Sequence, residues 1–388
     1  MPAPKPRRSV ALLIETSNRY SRELLHGVRS YFGERGGWAV QLSEQGRGDV
    51  PPPWLARWPG HGIIARIENR RIENAIRKKG LPVVSVSASG LASDLPTVIS
   101  DSPEVGRLAA EHLIERGFRA FGYCGDARFA WSRSHGQNFE RALRDAGFDC
   151  SHFATRVGDF ADWQLEQKKL AAWLRSLPKP VGVMACFDIR GQQLLDVCKR
   201  LGLRVPDDVG VIGQHDDELL CELCDPPLSS VIPNPREAGF HAAALLDRMM
   251  RRRKVASRIY PIAPLGVATR QSTDLVATED PQLAAAMRFI RAEALNGIGV
   301  PDLLRAVPMS RSLLERKFRA CVGRSPYEAI QEIRQRCAAT LLLSSDRPVA
   351  EVAERSGFVS AEYFSASFKR RTGKSPRAFR EEVVRGAR

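Results

Sequence analysis

Long apolar runs are absent from this sequence of 388 residues. No segment approaches the roughly 20 consecutive apolar residues that a membrane-spanning helix needs. The apolar run at 10–14 follows a Pro- and Arg-rich start and is too short for a secretory signal. We therefore expect a cytoplasmic protein that makes no contact with a membrane.

The motifs that mark common enzyme classes are also absent. The sequence has no H-E-x-x-H, no G-x-S-x-G, no phosphate-binding Gly-Lys-Ser/Thr loop and no G-x-G-x-x-G that opens a helix. Gly46-Arg47-Gly48 is too short a match, and three prolines follow it at 51–53. We expect no catalytic residues and no cofactor, although an α/β enzyme fused to a second domain remains an alternative.

The eight cysteines are scattered over a chain that is much too long to need a disulfide framework, which fits a reducing compartment. Cys221 and Cys224 form a C-x-x-C pair, but no second pair and no histidines at matching spacing follow it. The sequence therefore predicts no metal site, and we expect two half-buried thiols on a helix.

Negative charge is the scarcer sign, since 44 Asp and Glu stand against 59 Lys and Arg and the net charge is +15. Residues 281–388 hold 20 Lys and Arg against 11 Asp and Glu, a net charge of +9. The first 280 residues contribute the other +6. A basic domain at one end of the chain favours a polyanionic partner, although a basic surface without a partner would give the same count.

Short apolar runs alternate with helical patterns as far as residue 232. Amphipathic helices are predicted at 21–32, 103–116 and 191–201. Strands of this kind, separated by helices, are typical of parallel sheets covered on both faces, so the predicted class is α/β. The predicted strands are 10–15, 39–43, 62–67, 83–87, 98–101, 121–124, 183–187 and 209–213.

Ligands of such sheets bind beyond the carboxyl ends of the strands, which makes the polar residues directly after each strand the first candidates. These residues are Ser17, Asn18, Arg19, Asp101, Asp126, Arg128, Asp188, His215 and Asp216.

The pattern changes between 261 and 280, where the sequence becomes mixed, polar and proline-containing. We predict an α/β first domain at 8–268, a linker at 269–280 and an all-α domain at 281–388. Beyond the linker only helices are predicted, each begun by a capping Asp or Ser that is often followed by proline. The caps are Asp280, Ser310, Ser325, Ser360 and Ser375.

The all-α domain repeats itself at an offset of 50 residues. Ser310, Phe318, Gly323, Ser325 and Pro326 recur 50 residues later, and three further positions keep their chemical type. This constant offset indicates two copies of one supersecondary unit. The conservative pairs are Leu314 with Phe364, Arg319 with Lys369, and Arg324 with Lys374.

Each copy is predicted to form a short helix, a tight turn and a longer helix, at 301–306 and 310–321 and again at 349–355 and 360–370. Leu314 and Phe318, like Phe364 and Phe368, would face the core. A polar, basic outer face preceded by a short helix can lie in the major groove of DNA, whereas a plain helical bundle is the alternative. The outward residues are Arg311, Ser312, Glu315, Arg316, Arg319, Glu362, Ser365, Ala366 and Lys369.

The predicted helix at 325–343 separates the two copies. At about 1.5 Å per residue it is roughly 30 Å long, close to the roughly 34 Å between successive major grooves. We therefore expect both longer helices to enter double-stranded DNA on one face. In this hypothesis Arg316 reads a guanine edge, while Arg324 and Lys374 hold phosphates.

The segment V-A-E-R-S-G-F at 352–358 and the residues after it, Tyr363-Phe364-Ser365, Phe368-Lys369-Arg370 and Gly373-Lys374-Ser375-Pro376, closely resemble the AraC-type DNA-binding signature. The resemblance covers about the last 105 residues. It implies an operator-binding transcription regulator and places base-reading positions at Ser312, Glu315, Arg316, Ala361, Glu362 and Ala366. Two residues depart from the pattern, Pro308 in the turn and Ala366, where arginine is frequent.

The preceding three quarters of the chain is similar to the sugar-binding domain of lactose-repressor-type regulators, two α/β lobes with a cleft between them. The resemblance rests on Asp188, on V-I-G at 211–213, on H-D-D at 215–217 and on P-L-S-S-V at 227–231. A sugar domain followed by an AraC-type domain is the order of bacterial xylose-operon activators. It implies a small sugar effector, a pentose such as xylose, with Asp188 and the 215–216 pair in the cleft.

His215 stands where this family has an aspartate, so a non-pentose ligand remains an alternative. The resemblance also implies a homodimer and, if the protein is an activator, RNA polymerase as a further partner.

A sugar site needs acceptors and donors for paired hydroxyls and an aromatic platform beneath the C–H face of the ring. Each candidate also has a structural alternative, such as a helix cap or a surface charge. The predicted ligand-binding residues are Ser17, Arg19, Asp101, Trp131, Arg133, Gln137, Asp188, Arg190, His215 and Asp216.

Overall fold

A computed structural model describes residues 8–35, 37–46, 48–155, 163–274, 280–344 and 347–380. The chain divides into two compact units, Met1–Leu275 and Val276–Arg388. Three parts of the sequence predictions lie outside the described residues, namely Arg47, the linker segment 275–279 and the end of the last domain at 381–388.

The first unit contains two α/β lobes, each built on a six-stranded sheet. The strands are β1 Ser9–Leu13, β2 Ala39–Leu42, β3 Gly62–Ala65, β4 Val83–Ser85, β5 Thr97–Ser100, β6 Ala120–Asp126, β7 Cys150–Thr155, β8 Val181–Ala185, β9 Val209–Gln214, β10 Ser229–Ile232, β11 Ile259–Ile262 and β12 Gly266–Ala268. The helices are α1 Arg19–Arg35, α2 Arg70–Arg77, α3 Ser102–Glu115, α4 Ala130–Asp145, α5 Trp163–Ser176, α6 Asp188–Arg200, α7 Glu218–Leu223 and α8 Pro235–Met250.

The first lobe has an entirely parallel sheet in the order β11-β5-β4-β3-β1-β2. The central strands β1, β3 and β4 are buried on both faces, because α1 and α8 pack on one face and α2 packs on the other, whereas the edge strands β2 and β11 are largely exposed. This explains why the strands of this lobe read as continuous apolar runs.

The second lobe has the order β12-β10-β9-β8-β6-β7, parallel except for β12, which runs antiparallel to β10. Helices α3 and α4 cover one face of this sheet, and α5, α6 and α7 cover the other. Cys221 and Cys224 are buried in the core on the α7 side.

The chain passes between the lobes three times, from β5 to α3, from β10 to α8 and from β11 to β12. Each lobe is therefore assembled from separated stretches of sequence. All eight predicted strands are present within a few residues of their predicted bounds, but β7, β10, β11 and β12 were not predicted.

The predicted start of the linker at 269 is wrong. Residues 269–274 pack inside the second lobe, where Arg270, Ser272 and Thr273 are buried. The hydroxyl of Ser272 donates to the carbonyl oxygen of Val211 at 2.6 Å and accepts from the N–H of Ser229 at 2.8 Å. The polar side chains that suggested a linker instead form hydrogen bonds with backbone groups of β9 and β10.

The second unit is helical throughout its described residues. The helices are α9 Pro281–Glu293, α10 Val300–Ala306, α11 Arg311–Val322, α12 Pro326–Ser344, α13 Val349–Arg355 and α14 Ala361–Thr372. None of the helices in the described part of the chain combines the length and apolar content that crossing a bilayer requires.

The offset of 50 residues persists in the helix ends. The hydroxyls of Ser310 and Ser360 accept from the N–H groups of Leu313 and Tyr363 and so cap α11 and α14. Both helices end at a left-handed glycine. Helix α12 links the two copies, because Ile330 packs in the core of the first copy and Leu342 packs in that of the second.

Gly357 ends α13 with a φ of +76° and lies against the short turn at 294–296. A Cβ atom at this position would lie 2.7 Å from the carbonyl oxygen of Leu295. Gly373 has almost the same φ, +77°, but nothing lies within 4 Å of the corresponding position.

We expect Gly373→Ala to lower the free energy of unfolding of this unit by about 1 kcal/mol, because only the left-handed backbone is strained. Gly357→Ala should cost about 3 kcal/mol, because the new methyl group also displaces a packed backbone. Hydrogen exchange of the α13 and α14 amides measures both costs. Equal costs for the two variants would contradict the contact at 294–296.

Candidate ligand cavity and nucleic-acid interface

A cavity of about 410 Å³ lies between the two lobes of the first unit. The segments that follow β3 and β4 of the first lobe and β6 and β9 of the second lobe line it, as expected for parallel sheets. Its polar and aromatic lining residues include Tyr20, Arg66, Ser87, Thr97, Ser100 and Ser102, and also Trp131, Ser134, His135, Gln214 and His215.

Aromatic rings form one side of this cavity. The ring of His215 lies 5.3 Å from that of Tyr20 and 6.1 Å from that of Trp131, measured between centroids. Phe129 stacks on Trp131 at 5.0 Å, and Phe187 meets it edge-on at 5.9 Å. Packing from two sides holds the Trp131 ring in place, so its orientation is set before a ligand arrives.

Gln214, the last residue of β9, is a lining residue that the sequence analysis missed. Its side chain is buried, and within the described part of the chain its Oε1 accepts no hydrogen bond. Buried acceptors are normally satisfied, so this oxygen suits a hydroxyl donated by a ligand. The signal was its place directly after the predicted strand 209–213, but only the next two residues, His215 and Asp216, were predicted to bind the ligand.

Asp188 does not line the cavity but supports the loop that does. Its Oδ1 accepts from the hydroxyl of Ser230 at 2.6 Å, and its Oδ2 accepts from the N–H of Asp217 at 2.8 Å. Between these anchors His215 and Asp216 have positive φ angles of 104° and 47°. The carboxylate therefore stabilises a left-handed turn that directs the His215 ring into the cavity.

Burial raises the pKa of the Asp188 carboxyl to about 7, although the hydrogen bonds from Ser230 and Asp217 act in the opposite direction. Burial also lowers the pKa of His135 to about 4. Nδ1 of His135 lies 2.9 Å from the hydroxyl of Ser102. His135 is therefore neutral near pH 7 and presents an uncharged ring to the cavity.

Two arginines, Arg66 and Arg258, line the cavity, and only Arg66 forms ion pairs with described residues. Arg66 forms ion pairs with Glu15 at 2.6 Å and with Glu68 at 3.1 Å. None of the described residues that line the cavity is acidic. The carboxylates that were expected to accept ligand hydroxyls thus lie behind the lining, and the acceptors on it are neutral amide, hydroxyl and imidazole groups.

Arg19 bridges the two lobes. Its guanidinium donates to the carbonyl oxygen of Asp216 at 2.7 Å and lies 3.6 Å from a carboxylate oxygen of Glu218. The carboxylate of Asp216 pairs with Arg270 at 2.8 Å. Arg19 and Asp216, both predicted to bind the ligand, therefore contact each other at the loop that carries His215.

The other predicted ligand residues lie apart from the cavity lining. Asp101 caps α3 by accepting from the N–H of Glu104, and Arg190 forms a buried ion pair with Glu166 at 2.6 Å. Arg133 is exposed at the outer mouth between the lobes. Gln137 is exposed on the side of α4 that faces β7, and Ser17 is exposed before α1.

In the second unit, the outward faces of α11 and α14 are those that the sequence predicted. Leu314, Phe318, Phe364 and Phe368 are fully buried. The predicted contact residues are exposed or half-buried in both helices, namely Arg311, Ser312, Glu315, Arg316, Arg319, Ala361, Glu362, Ser365, Ala366 and Lys369.

The cations of this surface differ in how strongly they are engaged. Arg311 pairs with Glu315 at 3.2 Å, whereas Arg316 forms no ion pair with any described residue. Arg324, predicted to hold a phosphate, forms an ion pair with Glu332, which partly neutralises its charge. Lys374 is exposed after the end of α14.

The raised pKa of Asp188 makes a prediction for stability. Between about pH 4 and 7 the folded protein retains a proton that the unfolded chain releases, so this group lowers the free energy of unfolding as the pH rises. The slope is at most about 1.4 kcal/mol per pH unit, and it vanishes above pH 7. We expect Asp188→Asn to remove this decline relative to the wild type.

All six tryptophans lie in the first 280 residues, so their fluorescence during urea unfolding at pH 5 to 8 follows the first unit. The neutral His135 gives the opposite slope between about pH 6.5 and 4. Because this contribution is common to both proteins, it cancels when they are compared. Identical pH dependences would show that Asp188 is ionised in the folded state.

Three parts of the chain match described protein families. Residues 9–100 match the XylR N-terminal domain, and residues 110–273 match a periplasmic binding protein-like domain. Residues 303–382 match a helix-turn-helix domain. The first two matches lie in the two-lobed first unit, and the third lies in the duplicated helical unit.

The chain is also similar over nearly its whole length to regulators of known identity. The xylose operon regulatory protein of Escherichia coli K12 is 30% identical over 383 residues, covering 97% of each chain, and that of Haemophilus influenzae is 28% identical over 379 residues, covering 96% of this chain and 97% of that protein. The solved structure of the xylose-binding transcription activator XylR is 29% identical, with a TM-score of 0.75 over 97% of this chain and 98% of that one. The chain therefore belongs to the family of xylose operon regulatory proteins, transcription regulators that bind DNA through a helix-turn-helix domain.

Proposed function

We propose that this regulator responds to a monosaccharide, xylose or a related pentose, that binds in the cavity between the lobes of the first unit. The observation that carries the proposal is the cavity lining itself. Aromatic rings stand beside a buried, unsatisfied amide oxygen, and this pairing suits the C–H face and the hydroxyls of one sugar ring. The names of the full-length relatives support xylose as the first sugar to test.

The direct contacts in this proposal are Trp131, Gln214 and His215, while Asp188, Asp216 and Arg19 hold the loop around them. A bound sugar would contact both lobes, since Tyr20 and Ser100 face it from the first lobe. A ligand of this kind favours one arrangement of the lobes, which is how binding can alter a regulator.

Two parts of the proposal concern partners. We propose a homodimer, which would present two copies of the duplicated helix-turn-helix unit to an operator in the cytoplasm. Contact with RNA polymerase is proposed for the case in which the protein activates transcription. No catalytic step is part of the proposal, since the relatives that span the whole chain are regulators.

A non-pentose sugar is the second candidate for the effector. It is favoured by His215, which stands where the resemblance implies an aspartate, and by the absence of acidic residues from the described cavity lining. An imidazole differs from a carboxylate in size and donor pattern, and it can reposition or exclude a hydroxyl of xylose. A calorimetric panel of xylose, arabinose, ribose, glucose and galactose separates the two candidates.

We expect Gln214→Met to weaken binding of the preferred sugar roughly three- to tenfold, because one hydrogen bond to the ligand is lost while the volume is nearly conserved. Gln137→Met is the matched control, since Gln137 is exposed outside the cavity, and its affinity should equal that of the wild type. Isothermal titration calorimetry measures both. Unchanged affinity in Gln214→Met would place the sugar elsewhere.

The proposed operator contacts make a separate prediction. A binding site is first selected from a pool of random duplexes with the full-length protein. Arg316→Ala should then cost about 1–3 kcal/mol on the selected site and relax its preference at one base pair.

Lys374→Ala serves as the comparison, because a phosphate contact should weaken selected and random duplexes by the same factor. Fluorescence anisotropy at several salt concentrations gives both affinities. If Arg316→Ala also weakened both duplexes equally, Arg316 would contact phosphate and not a base.

A further inference from the structure

A dense basic surface lies at the end of α8 in the first lobe. It belongs neither to the helix-turn-helix unit nor to the cavity. It consists of Arg248, Arg251, Arg252, Arg253 and Lys254, all exposed. We call this set the basic end of α8. Gly62, the first residue of β3, packs beside Leu246 and Met250, so this surface lies near the amino end of β3.

The backbone at the basic end of α8 is fixed and strained. The N–H of Arg252 donates to the carbonyl oxygen of Met249 at 2.8 Å, and that of Arg253 donates to Arg248 at 2.9 Å. This closure requires a left-handed residue, and Arg252 occupies it with a φ of +58°. Glycines occupy the left-handed positions after other helices of this chain, for example Gly117, Gly147 and Gly202.

An arginine in the left-handed conformation is less stable than the glycine that the same turn accepts elsewhere in the chain. Strain retained at a defined position is a reason to look for a function of its side chain. Arg252 lies between Arg251 and Arg253 in the sequence, and the backbone N–H groups of all three residues donate hydrogen bonds to α8.

Asp247 anchors one side of this surface without neutralising it. Its buried carboxylate accepts from the hydroxyl of Tyr31 at 3.1 Å and pairs with Arg251 at 2.8 Å and with Arg8 at 3.3 Å. In the part of the chain that the structure describes, Arg248, Arg252, Arg253 and Lys254 form no ion pair. The carboxylate of Asp247 thus faces the five cations of the basic end of α8 together with Arg8.

The dipole of α8 accounts for only part of this charge. Cations stabilise a helix when they lie in its last turn, and the effect is lost beyond that turn. Arg248 meets this condition and Arg251 lies at the cap, but Arg252, Arg253 and Lys254 follow the end of the helix. Their accumulation needs a different explanation.

We propose that the basic end of α8 is a second DNA-contacting surface, which binds the phosphate backbone of duplex DNA without reading its sequence. The chain binds DNA through its helix-turn-helix domain, so the flanking duplex is present at high local concentration. Clustered guanidinium groups suit phosphates, and each contact releases counterions from the duplex. The proposal concerns a surface distinct from the operator contacts.

The test compares the full-length protein with the variant Arg252→Gln/Arg253→Gln/Lys254→Gln on random-sequence duplexes of 20 and 80 base pairs. The slope of log affinity against log salt measures the number of phosphates neutralised, at about −0.9 for each. We expect the slope of the wild type to be steeper on the 80-base-pair duplex than on the 20-base-pair duplex. The triple variant should lose up to about 2.7 of that slope and bind at least tenfold more weakly at 0.1 M salt.

Lys168→Gln/Lys169→Gln/Arg175→Gln is the control, because it removes three exposed cations from α5 in the second lobe. It has the same net charge as the test variant and should retain the wild-type slope on both duplexes. Equal slopes for the wild type and the test variant on the long duplex overturn the proposal. A loss restricted to single-stranded RNA of 40 nucleotides also overturns it and assigns the surface to RNA.

Arg252→Gly separates binding from folding. Glycine relieves the strained backbone, so the midpoint of thermal unfolding should rise while the salt slope on the long duplex falls by about 0.9. A rise in the midpoint with an unchanged slope shows that Arg252 contacts no phosphate and overturns its assignment. DNA binding by the helix-turn-helix unit stays visible in every case as the slope on the short duplex.

Discussion

The loop at 213–217 depends on one buried carboxylate. Asp188 begins α6 and joins it to β10 through Ser230 and to α7 through the N–H of Asp217. These bonds hold His215 and Asp216 in a conformation that non-glycine residues adopt only when their surroundings impose it. The position of the His215 ring, the carbonyl that Arg19 contacts and the Asp216–Arg270 ion pair all follow from this arrangement. A substitution at His215 can therefore change the cavity lining without removing the hydrogen bonds of Asp188 that hold the loop.

The helical unit depends in a similar way on α12. This helix contributes Ala329 and Ile330 to one core and Ala338 and Leu342 to the other. Between these cores the buried guanidinium of Arg334 donates to the carbonyl oxygens of Ala294 and Ile298, where the preceding turn leaves acceptors open. The two helix-turn-helix copies are thus repeats in sequence but share one scaffold in structure.

Sequence patterns predicted the parts of this protein that repeat a simple rule. Apolar runs located the central strands, and the 50-residue offset located α11 and α14 with their caps. The strands that were not predicted have a different character. Strand β11 contains Pro261 and is largely exposed. Strand β10 contains Ser229 and Ser230, whose hydroxyls donate to Arg270 and Asp188, residues distant in sequence. No local pattern signals such partners.

The predicted ligand residues include some that line the cavity between the lobes and others that do not. The rule that ligands bind at the carboxyl ends of strands led to His215, which lines the cavity; Trp131, which also lines it, was predicted instead as an aromatic platform for a sugar. The strand-end rule has a limit. It could not distinguish Asp188, which faces its own loop, from Gln214, which faces the cavity. The difference depends on which hydrogen bonds the fold has already satisfied, and that requires the positions of Ser230 and Asp217. Arg190 shows the same limit, because its partner Glu166 lies on another helix.

The three passages of the chain between the lobes restrict how the first unit can move. A single connection would let the lobes swing and twist freely, whereas three connections side by side act as a hinge with one principal axis. Any molecule that bridges the lobes then fixes the angle between them, whatever its pattern of hydroxyl groups. In the proposed function, substitutions at His215 and Gln214 would therefore change which sugar binds while the three connections between the lobes stay the same.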